Sequence, residues 1–287
     1  MTSYKYLPHS KELYSYMGPR NKYAVKISDV PHQVLVIYDS VYCSGSLIFS
    51  RIVLTVASCF RKRSTKVTVK VGANTITSMG QVIPVLEKKF HEYYNYEVPL
   101  NNDIALLFLE RNVNFGPNTK KVVIVEPEVA IRVGTSLDVT GWAGNNLSSM
   151  KNIHRILVSE MKVTSDEVCH QKYGDLKTES KYCAKYQPEY RLSDNGGSAL
   201  YKDNGIDVLV GILSYGATSN EEAECIALFT NISYFHRWII FNSQKLLNKH
   251  CIDEPLSDYA SYESNGTSET YELEVERHLE PEHRQYI

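Results

Sequence analysis

The sequence predicts an all-β protein, either a sandwich or a pair of barrels, that ends in one helix. Short apolar runs rich in β-branched residues recur along the chain with turn residues between them, and their lengths suit strands. One segment alone, residues 233–249, has apolar side chains near the i, i+3, i+4 spacing of a helix. Many short strands with almost no helical spacing are typical of sandwiches and barrels.

The predicted elements fall into two sets of strands, and the helix comes after them. The strand-like runs lie at residues 33–38, 46–57, 66–72, 103–109, 120–125, 136–144, 153–163, 207–216 and 224–230. Ser233 is expected to cap the N-terminus of the helix at 233–249. Residues 1–23 are polar and tyrosine-rich and are expected to form an arm lying on the body. Residues 251–287 hold few branched aliphatic side chains, so this tail is predicted to be disordered.

Composition and charge exclude several classes of protein. With 43% hydrophobic and 22% charged residues over 287 positions, a wholly disordered, collagen-like or coiled-coil chain is excluded. The net charge is −2, but the tail holds ten Asp or Glu against two Arg, so it carries −8 and the body +6. That field is too weak to indicate nucleic-acid binding. The longest apolar stretch, 41–60, contains Arg51, which argues against a membrane span.

Several short motifs occur in a characteristic order. They are CSGSLI from Cys43, VLTVASC ending at Cys59, NNDIALL around Asp103, GWAG at 141–144, SDNGGSAL at 193–200, and LSYG at 213–216. Together they resemble the signatures of trypsin- and chymotrypsin-type (S1) serine proteases over about residues 24–245. The resemblance implies two six-stranded antiparallel Greek-key barrels, at about 24–118 and 119–232, and then the C-terminal helix, in a domain spanning 24–250.

The departures from this family's pattern concern the residues that carry catalysis. The resemblance places Ser58 at the position of the catalytic histidine and Asn195 at the position of the nucleophilic serine, and it leaves Asp103 as the remaining member of the triad. A serine hydroxyl cannot act as a base near neutral pH, and a carboxamide offers no nucleophile to activate. Ser193 replaces a glycine of the oxyanion hole, whose N–H acts together with that of residue 195. The sequence therefore predicts a degenerate, inactive site.

Other parts of the predicted site are implied by the same resemblance. Asp103 is interpreted as a buried structural acid, with Ser58 and Ser214 as its hydrogen-bond partners. Glu189 is placed at the floor of the substrate pocket, and the wall is formed by Ser214, Tyr215 and Gly216. No activation sequence precedes the domain near residues 19–22, which would leave Asp194 without its usual partner.

Disulfides, glycosylation sites and metals are the remaining predictions. The resemblance pairs Cys43 with Cys59 and Cys169 with Cys183, and a bridge between Cys225 and Cys251 is a guess from count alone. The sequons at Asn146, Asn231 and Asn265 are glycosylation candidates. No cofactor or metal is expected, because residues 61–86, where trypsins hold calcium, contain no Asp or Glu.

The function predicted from these features is binding. We interpret the chain as a secreted, catalytically inactive protease homologue that acts as a partner, cofactor or decoy in a proteolytic cascade. It would bind an active protease, its substrate or an inhibitor, although no secretory signal is visible at the N-terminus. The basic cluster Arg61, Lys62 and Arg63 is interpreted as a solvated loop, with a site for acidic or sulfated ligands as the alternative. The alternative functions are an active serine-type hydrolase with a rebuilt centre and a secreted structural protein.

Overall fold

A computed structural model describes residues 5–6, 23–38, 41–60, 66–127, 129–142, 155–186, 195–216 and 225–250. These residues form strands and two α-helices. The strands that make up the first barrel are β3 (Gln33–Tyr38), β4 (Val41–Phe49), β5 (Ile52–Thr55), β6 (Val67–Val71), β7 (Gln81–Phe90) and β8 (Ala105–Leu109). Those of the second are β11 (Ser136–Trp142), β12 (Ile156–Val163), β13 (Lys181–Lys185), β14 (Ser198–Asp203), β15 (Ile206–Tyr215) and β16 (Ile226–Asn231). The helices are α1 (Asp166–Tyr173) and α2 (Ile232–Lys249).

The first barrel closes in the order β3-β4-β5-β8-β7-β6, and every pairing in it is antiparallel. Strand β6 shows why these residues form a barrel wall. Val67, Val69 and Val71 are buried, whereas the alternate residues Thr68 and Lys70 are partly exposed. Because successive side chains of a strand point to opposite faces, this alternation directs the valines into the core.

The second barrel has the order β11-β14-β15-β16-β13-β12 and closes through the pairing of β11 with β12. Its hairpin between β14 and β15 turns at Asn204 and Gly205, which have φ values of 46° and 85°. An Asn-Gly pair adopts this left-handed conformation readily, and such turns match the twist of the flanking strands. The prediction of two six-stranded antiparallel barrels with a C-terminal helix is confirmed.

Short strands extend this frame beyond the two barrels. They are β1 (Lys5–Tyr6), β2 (Tyr23–Ala24), β9 (Val123–Ile124) and β10 (Val129–Ala130). Strand β1 pairs with β10, while β2 pairs with β12 and β9 with β15 of the second barrel. Strand β2 therefore joins the second barrel, although it precedes the first barrel in the chain.

The helices differ from the sequence prediction in two ways. Helix α2 begins at Ile232, and Asn231 rather than Ser233 caps it: the Asn231 side chain accepts a hydrogen bond from the Ser233 N–H at 3.1 Å. Helix α1 was not predicted, because Cys169 is its one buried residue and the segment has no apolar stripe. No helix in the described part of the chain is long and apolar enough to cross a membrane.

Helix α2 ties the barrels together. It starts directly after β16 of the second barrel, and its far end reaches β7 of the first barrel. There Lys249 Nζ donates to Glu87 Oε2 at 2.7 Å. Nearer its start, Trp238 Nε1 donates to Glu92 Oε2 at 2.9 Å, just beyond the end of β7. The helix thereby fixes the two barrels relative to each other along its length.

Candidate functional site

Asp103 lies at the boundary between the barrels, two residues before β8 begins, and it is completely buried. Its carboxylate accepts three hydrogen bonds. The Ser58 N–H donates to Oδ1 at 2.7 Å, the Ser58 hydroxyl donates to Oδ2 at 2.8 Å, and the Ser214 hydroxyl donates to Oδ2 at 2.6 Å. The prediction that Ser58 and Ser214 are the partners of Asp103 is confirmed. Three donors satisfy a carboxylate that has no access to water.

Lys181 completes this group, and no sequence motif indicated it. Its ammonium donates to the Ser214 hydroxyl at 2.9 Å, and the residue is only 2% exposed. Burial lowers the pKa of Lys181 to about 8, while the charge of Asp103 acts to raise it. Lysine is almost never fully buried, so nothing in the sequence marked this one as an interior residue. Hereafter the Asp103 network denotes Ser58, Asp103, Ser214 and Lys181.

The Asp103 network has a fixed direction of hydrogen bonding. The lysine donates to Ser214, Ser214 donates to Asp103, and Ser58 donates to Asp103 from the other side. All four residues are buried. Among the residues that the structure describes, no histidine is hydrogen-bonded to the network. The arrangement stabilises a buried negative charge, and its amine, that of Lys181, is itself buried and donates to Ser214.

Asn195 is positioned by its backbone. Its carbonyl accepts a hydrogen bond from the Ser44 N–H at 2.9 Å, and the next N–H, of Gly196, donates to the Leu213 carbonyl at 2.8 Å. Gly196 has a φ of 88°, and a Cβ there would lie 2.1 Å from the Ser44 carbonyl oxygen. Only glycine fits this turn. The turn therefore brings Asn195 next to the strands that carry Ser44 and Ser214.

The pocket-like segment Ser214–Gly216 is held by tyrosines. The Tyr186 hydroxyl donates to the Gly216 carbonyl at 3.1 Å. Tyr173, at the end of α1, donates its hydroxyl to the Ile226 carbonyl, and a Cβ on Gly216 would lie 1.8 Å from this hydroxyl. Burial raises the pKa of Tyr173, so the phenol keeps its proton and stays a donor. Tyr215 itself is exposed.

A second buried polar network joins the barrels, and it too was not predicted from the sequence. It consists of His32, Gln33, Ser44, Thr140 and Ser198 and is called the Gln33 network hereafter. His32 Nε2 lies 2.9 Å from the Ser198 hydroxyl, and Thr140 is also hydrogen-bonded to Ser198. Thr140 donates to Gln33 Oε1 at 2.6 Å, and Gln33 Nε2 donates to the Ser44 hydroxyl at 2.8 Å.

This network contains a histidine–serine pair, which is the pair that a rebuilt hydrolase centre would need. Burial lowers the pKa of His32 to about 4, so the imidazole is neutral at physiological pH. Both residues are buried, with His32 3% exposed and Ser198 0% exposed. A substrate carbonyl cannot reach a serine hydroxyl in this position. The pair is part of the packing between the barrels.

Both disulfides implied by the resemblance are present. Cys43 is bonded to Cys59, with a Cα–Cα distance of 6.4 Å, and Cys169 is bonded to Cys183, with a distance of 5.6 Å. Cys225 is buried and forms no disulfide with any described residue. Its suggested partner Cys251 lies outside the described residues, so that bridge stays a prediction.

Several other predicted site residues lie outside the residues that the structure describes. They are Glu189, Ser193, Asp194, Asn146, Asn265, Arg61, Lys62 and Arg63. Asn231 is described: it is partly buried and caps α2, so glycosylation there stays a prediction. The described residues contain no group of three His, Cys, Asp or Glu side chains that could hold a metal ion.

Comparisons with known proteins agree with this fold. Residues 20–239 match the family model described as Trypsin. The chain is 30% identical to Trypsin 5G1 of Aedes aegypti over 200 residues, which are 68% of this chain and 73% of the relative. It is 26% identical to the vitellin-degrading protease of Bombyx mori over 79% of this chain and 86% of the relative. It is 29% identical to human cathepsin G over 72% and 79% of the two chains. With a match over most of its length and the double-barrel fold, the chain belongs to the trypsin family.

Proposed function

We propose that this protein is an inactive member of the trypsin family that works by binding, as a cofactor or decoy for an active protease, its substrate or an inhibitor. One observation carries the proposal. The Ser58 hydroxyl donates directly to Asp103 at 2.8 Å, where the family resemblance places an imidazole between the carboxylate and the nucleophile. A serine side chain is too short to span from Asp103 to residue 195, and it has no basic nitrogen to take a proton from that residue.

The rest of the site supports the same proposal. Asn195 carries a carboxamide, which is not a nucleophile under these conditions. Lys181 balances the charge of Asp103 inside the protein, as an imidazolium does transiently in an enzyme of this type. The Tyr186 hydroxyl already occupies the Gly216 carbonyl, an acceptor on the segment that the resemblance assigns to substrate binding. The missing nucleophile at residue 195 is the feature that removes a requirement of peptide hydrolysis.

Secretion is part of the proposal. Disulfides persist mainly in oxidising compartments, and the two bridges in the described residues are compatible with extracellular export. A secreted trypsin-family protein without catalytic groups retains the shape of a protease. It can therefore occupy a surface that an active relative would otherwise bind.

Hydrolysis assays on four forms of the protein test inactivity. The wild type, Asn195→Ser, Ser58→His and the double variant are compared on peptide ester and amide substrates, with an active trypsin as the positive control. We expect the wild type and both single variants to stay at background, because nucleophile and base act as a unit. Wild-type turnover above that of a mock preparation would refute the proposal, and Asn195→Ala then tells whether residue 195 takes part.

Co-purification tests the binding role. The native protein is recovered by antibody from its secreted fluid, after mild cross-linking, and the proteins bound to it are identified by mass spectrometry. We expect a trypsin-family protease, a protease substrate or a protease inhibitor to be enriched relative to a reduced and denatured sample of the same protein. Recovery of the protein without any such partner would argue for the structural alternative.

A further inference from the structure

A cavity of about 600 Å³ lies between the loop after β7 and the first turns of α2. None of its lining residues belongs to the Asp103 network. Six of the residues that surround it are aromatic, counting one histidine, and four of these are Tyr93, Tyr96, Tyr234 and Trp238. The polar side chains of the lining include Asn101 and Arg237, and none of the described lining residues is an Asp or a Glu. A concave aromatic surface with a few polar groups is typical of a ligand site.

The tyrosine rings of this cavity are not covered by the protein. Tyr93 is 62% exposed, Tyr96 is 59% exposed and Tyr234 is 55% exposed. The centroids of the first two rings are 6.0 Å apart, with their planes inclined by 59°. Clustered exposed aromatic side chains mark interaction sites, because covering their apolar faces is favourable. The rings therefore offer flat surfaces on which a ligand can stack.

The loop that presents these rings is held in an unusual conformation. Asn95, Glu97, Leu100 and Asn102 all have positive φ, at 63°, 61°, 62° and 51°. Positive φ is uncommon for residues other than glycine, and backbone strain of this kind is concentrated at functional sites. The Asn95 side chain accepts a hydrogen bond from the Leu100 N–H at 2.8 Å, which stabilises the turn.

Neighbouring hydrogen bonds hold the backbone at Tyr93 and the ring of Trp238. The Asn102 amide donates to the Tyr93 carbonyl at 3.0 Å. The Trp238 ring nitrogen donates to Glu92 at 2.9 Å, and the His91 ring packs against Trp238 at 5.2 Å. A ligand that binds here meets a Trp238 ring that is already in place, so little conformational entropy is lost in ordering that ring.

The lining defines the chemical class of the ligand. An acyl chain could not form hydrogen bonds with the amide of Asn101, the guanidinium of Arg237 or the phenol hydroxyls. A small inorganic anion would not use the rings. A sugar ring has an apolar C–H face that stacks on an aromatic ring and a rim of hydroxyl groups that hydrogen-bond to amides, phenols and guanidinium.

We propose that this cavity binds carbohydrate, with a sugar ring stacked on Tyr93 or Tyr96 and its hydroxyl groups directed to Asn101 and Arg237. This binding site does not depend on the proposed function. A second cavity, of about 940 Å³, shares Tyr234 and Arg237 with the first. A chain of several sugar rings can therefore continue from one cavity into the other, so oligosaccharides bind more tightly than single sugars.

Binding to defined sugars tests this site. The full-length protein is titrated with triacetylchitotriose, maltotriose and 3′-sialyllactose, each monitored by saturation-transfer NMR and calorimetry. We expect at least one trisaccharide to bind and the matching monosaccharide to bind at least tenfold more weakly. Failure of all three at millimolar concentration would overturn the proposal.

Matched variants locate the site. Replacing both rings, Tyr93→Ala with Tyr96→Ala, is expected to weaken binding at least tenfold, while Tyr93→Phe with Tyr96→Phe keeps stacking and loses less. Phe115→Ala removes another exposed ring, 49% exposed and outside the cavity, and serves as the control. Thermal unfolding of each variant confirms that it is folded. Unchanged sugar binding in the double alanine variant would overturn the assignment.

Discussion

Two buried polar networks cross from one barrel to the other, and they differ in charge. The Asp103 network joins Ser58 and Asp103 of the first barrel to Ser214 and Lys181 of the second, and it contains a carboxylate and an amine. The Gln33 network contains only neutral groups, because burial keeps the pKa of His32 at about 4. Joining two barrels through hydrogen bonds therefore requires no charge.

The difference in charge between the two networks shows how the negative charge of Asp103 is compensated. A buried carboxylate is expected at this position from the trypsin family, but a buried lysine behind it is not. With no imidazole hydrogen-bonded to Asp103 among the described residues, the amine of Lys181 supplies a positive partner within the protein. A single buried charge without compensation would cost several kcal/mol. In the inactive protein that we propose, the network is a structural arrangement built around Asp103.

The disulfide between Cys43 and Cys59 connects the two networks. Ser44 comes directly after Cys43 and belongs to the Gln33 network, whereas Ser58 precedes Cys59 and belongs to the Asp103 network. Substitutions within each network separate their contributions to the free energy of unfolding.

The largest effect is expected from Asp103→Ala. The change leaves three hydrogen-bond donors without an acceptor and Lys181 without its counter-charge, and we expect a loss of about 3–5 kcal/mol in urea unfolding. Adding Lys181→Met removes the orphaned amine, so the double variant should be more stable than Asp103→Ala by about 1 kcal/mol or more. A loss below about 1 kcal/mol for the single variant would mean that Asp103 is not the centre of the network.

The disulfide that links the networks should rank next. Replacing Cys43 and Cys59 together by alanine opens a loop with a sequence separation of 16 residues. A loop of this size corresponds to about 3 kcal/mol. Ile48→Val, which removes one buried methylene group and no cross-link, is the control and should cost less. Equal losses in the two variants would show that cavity formation, rather than the cross-link, sets the cost.

The networks should also respond to different ranges of pH. Lys181 has a folded pKa of about 8 and His32 one of about 4, both lowered by burial. Unfolded lysine and histidine titrate near 10.4 and 6.5, so the unfolded state binds more protons between each pair of values. The free energy of unfolding should therefore rise with pH from about 8 to 10.4 and from about 4 to 6.5, by on the order of 3 kcal/mol each at most.

Two variants assign these ranges. The free energy of unfolding, measured with urea as a function of pH, should no longer rise between about pH 8 and 10.4 in Lys181→Met. In His32→Gln it should no longer rise between about pH 4 and 6.5, and each variant should keep the other rise. If Lys181→Met leaves the profile above about pH 8 unchanged, the amine is not the titrating group and the charged network is wrongly assigned.

The smallest effect is expected from Ser198→Ala in the neutral network. The change removes the hydroxyl that pairs with His32 and Thr140, and both of these groups are buried. Losing one neutral hydrogen-bond partner costs about 1–2 kcal/mol. Thermal and urea unfolding of Ser198→Ala and Asp103→Ala, run side by side, compare the two losses in the free energy of unfolding. A loss in Ser198→Ala as large as that in Asp103→Ala would remove the distinction between the two networks.

Much of the fold could be predicted from the sequence because it follows from local sequence patterns. The alternating valines of β6 and the ordered motifs at Cys43, Asp103 and Ser214 are local patterns from which the barrels, two disulfides and the partners of Asp103 were predicted. The structure confirms these predictions. The N-cap of α2 was placed at Ser233 instead of Asn231, since both have suitable side chains and only the path of β16 decides between them.

The residues that the sequence could not reveal owe their roles to long-range packing. Lys181 and Ser214 are 33 residues apart, and His32 and Ser198 are 166 residues apart. From sequence alone, a lysine is expected at the surface, and a single histidine has no predictable role, because only the tertiary structure buries these side chains. The aromatic cavity likewise combines the loop after β7 with α2, which only the tertiary structure brings together.

The most direct test of the central claim, inactivity, is to label the wild-type protein with a fluorophosphonate probe and identify any modified residue by mass spectrometry. An active trypsin in the same solution shows that the probe is competent. We predict no labelling, because Asn195 offers no nucleophile and the buried hydroxyls of Ser58, Ser198 and Ser214 cannot reach the probe. Stoichiometric labelling of any serine or threonine in the barrels would contradict the claim and would favour a hydrolase with a rebuilt centre.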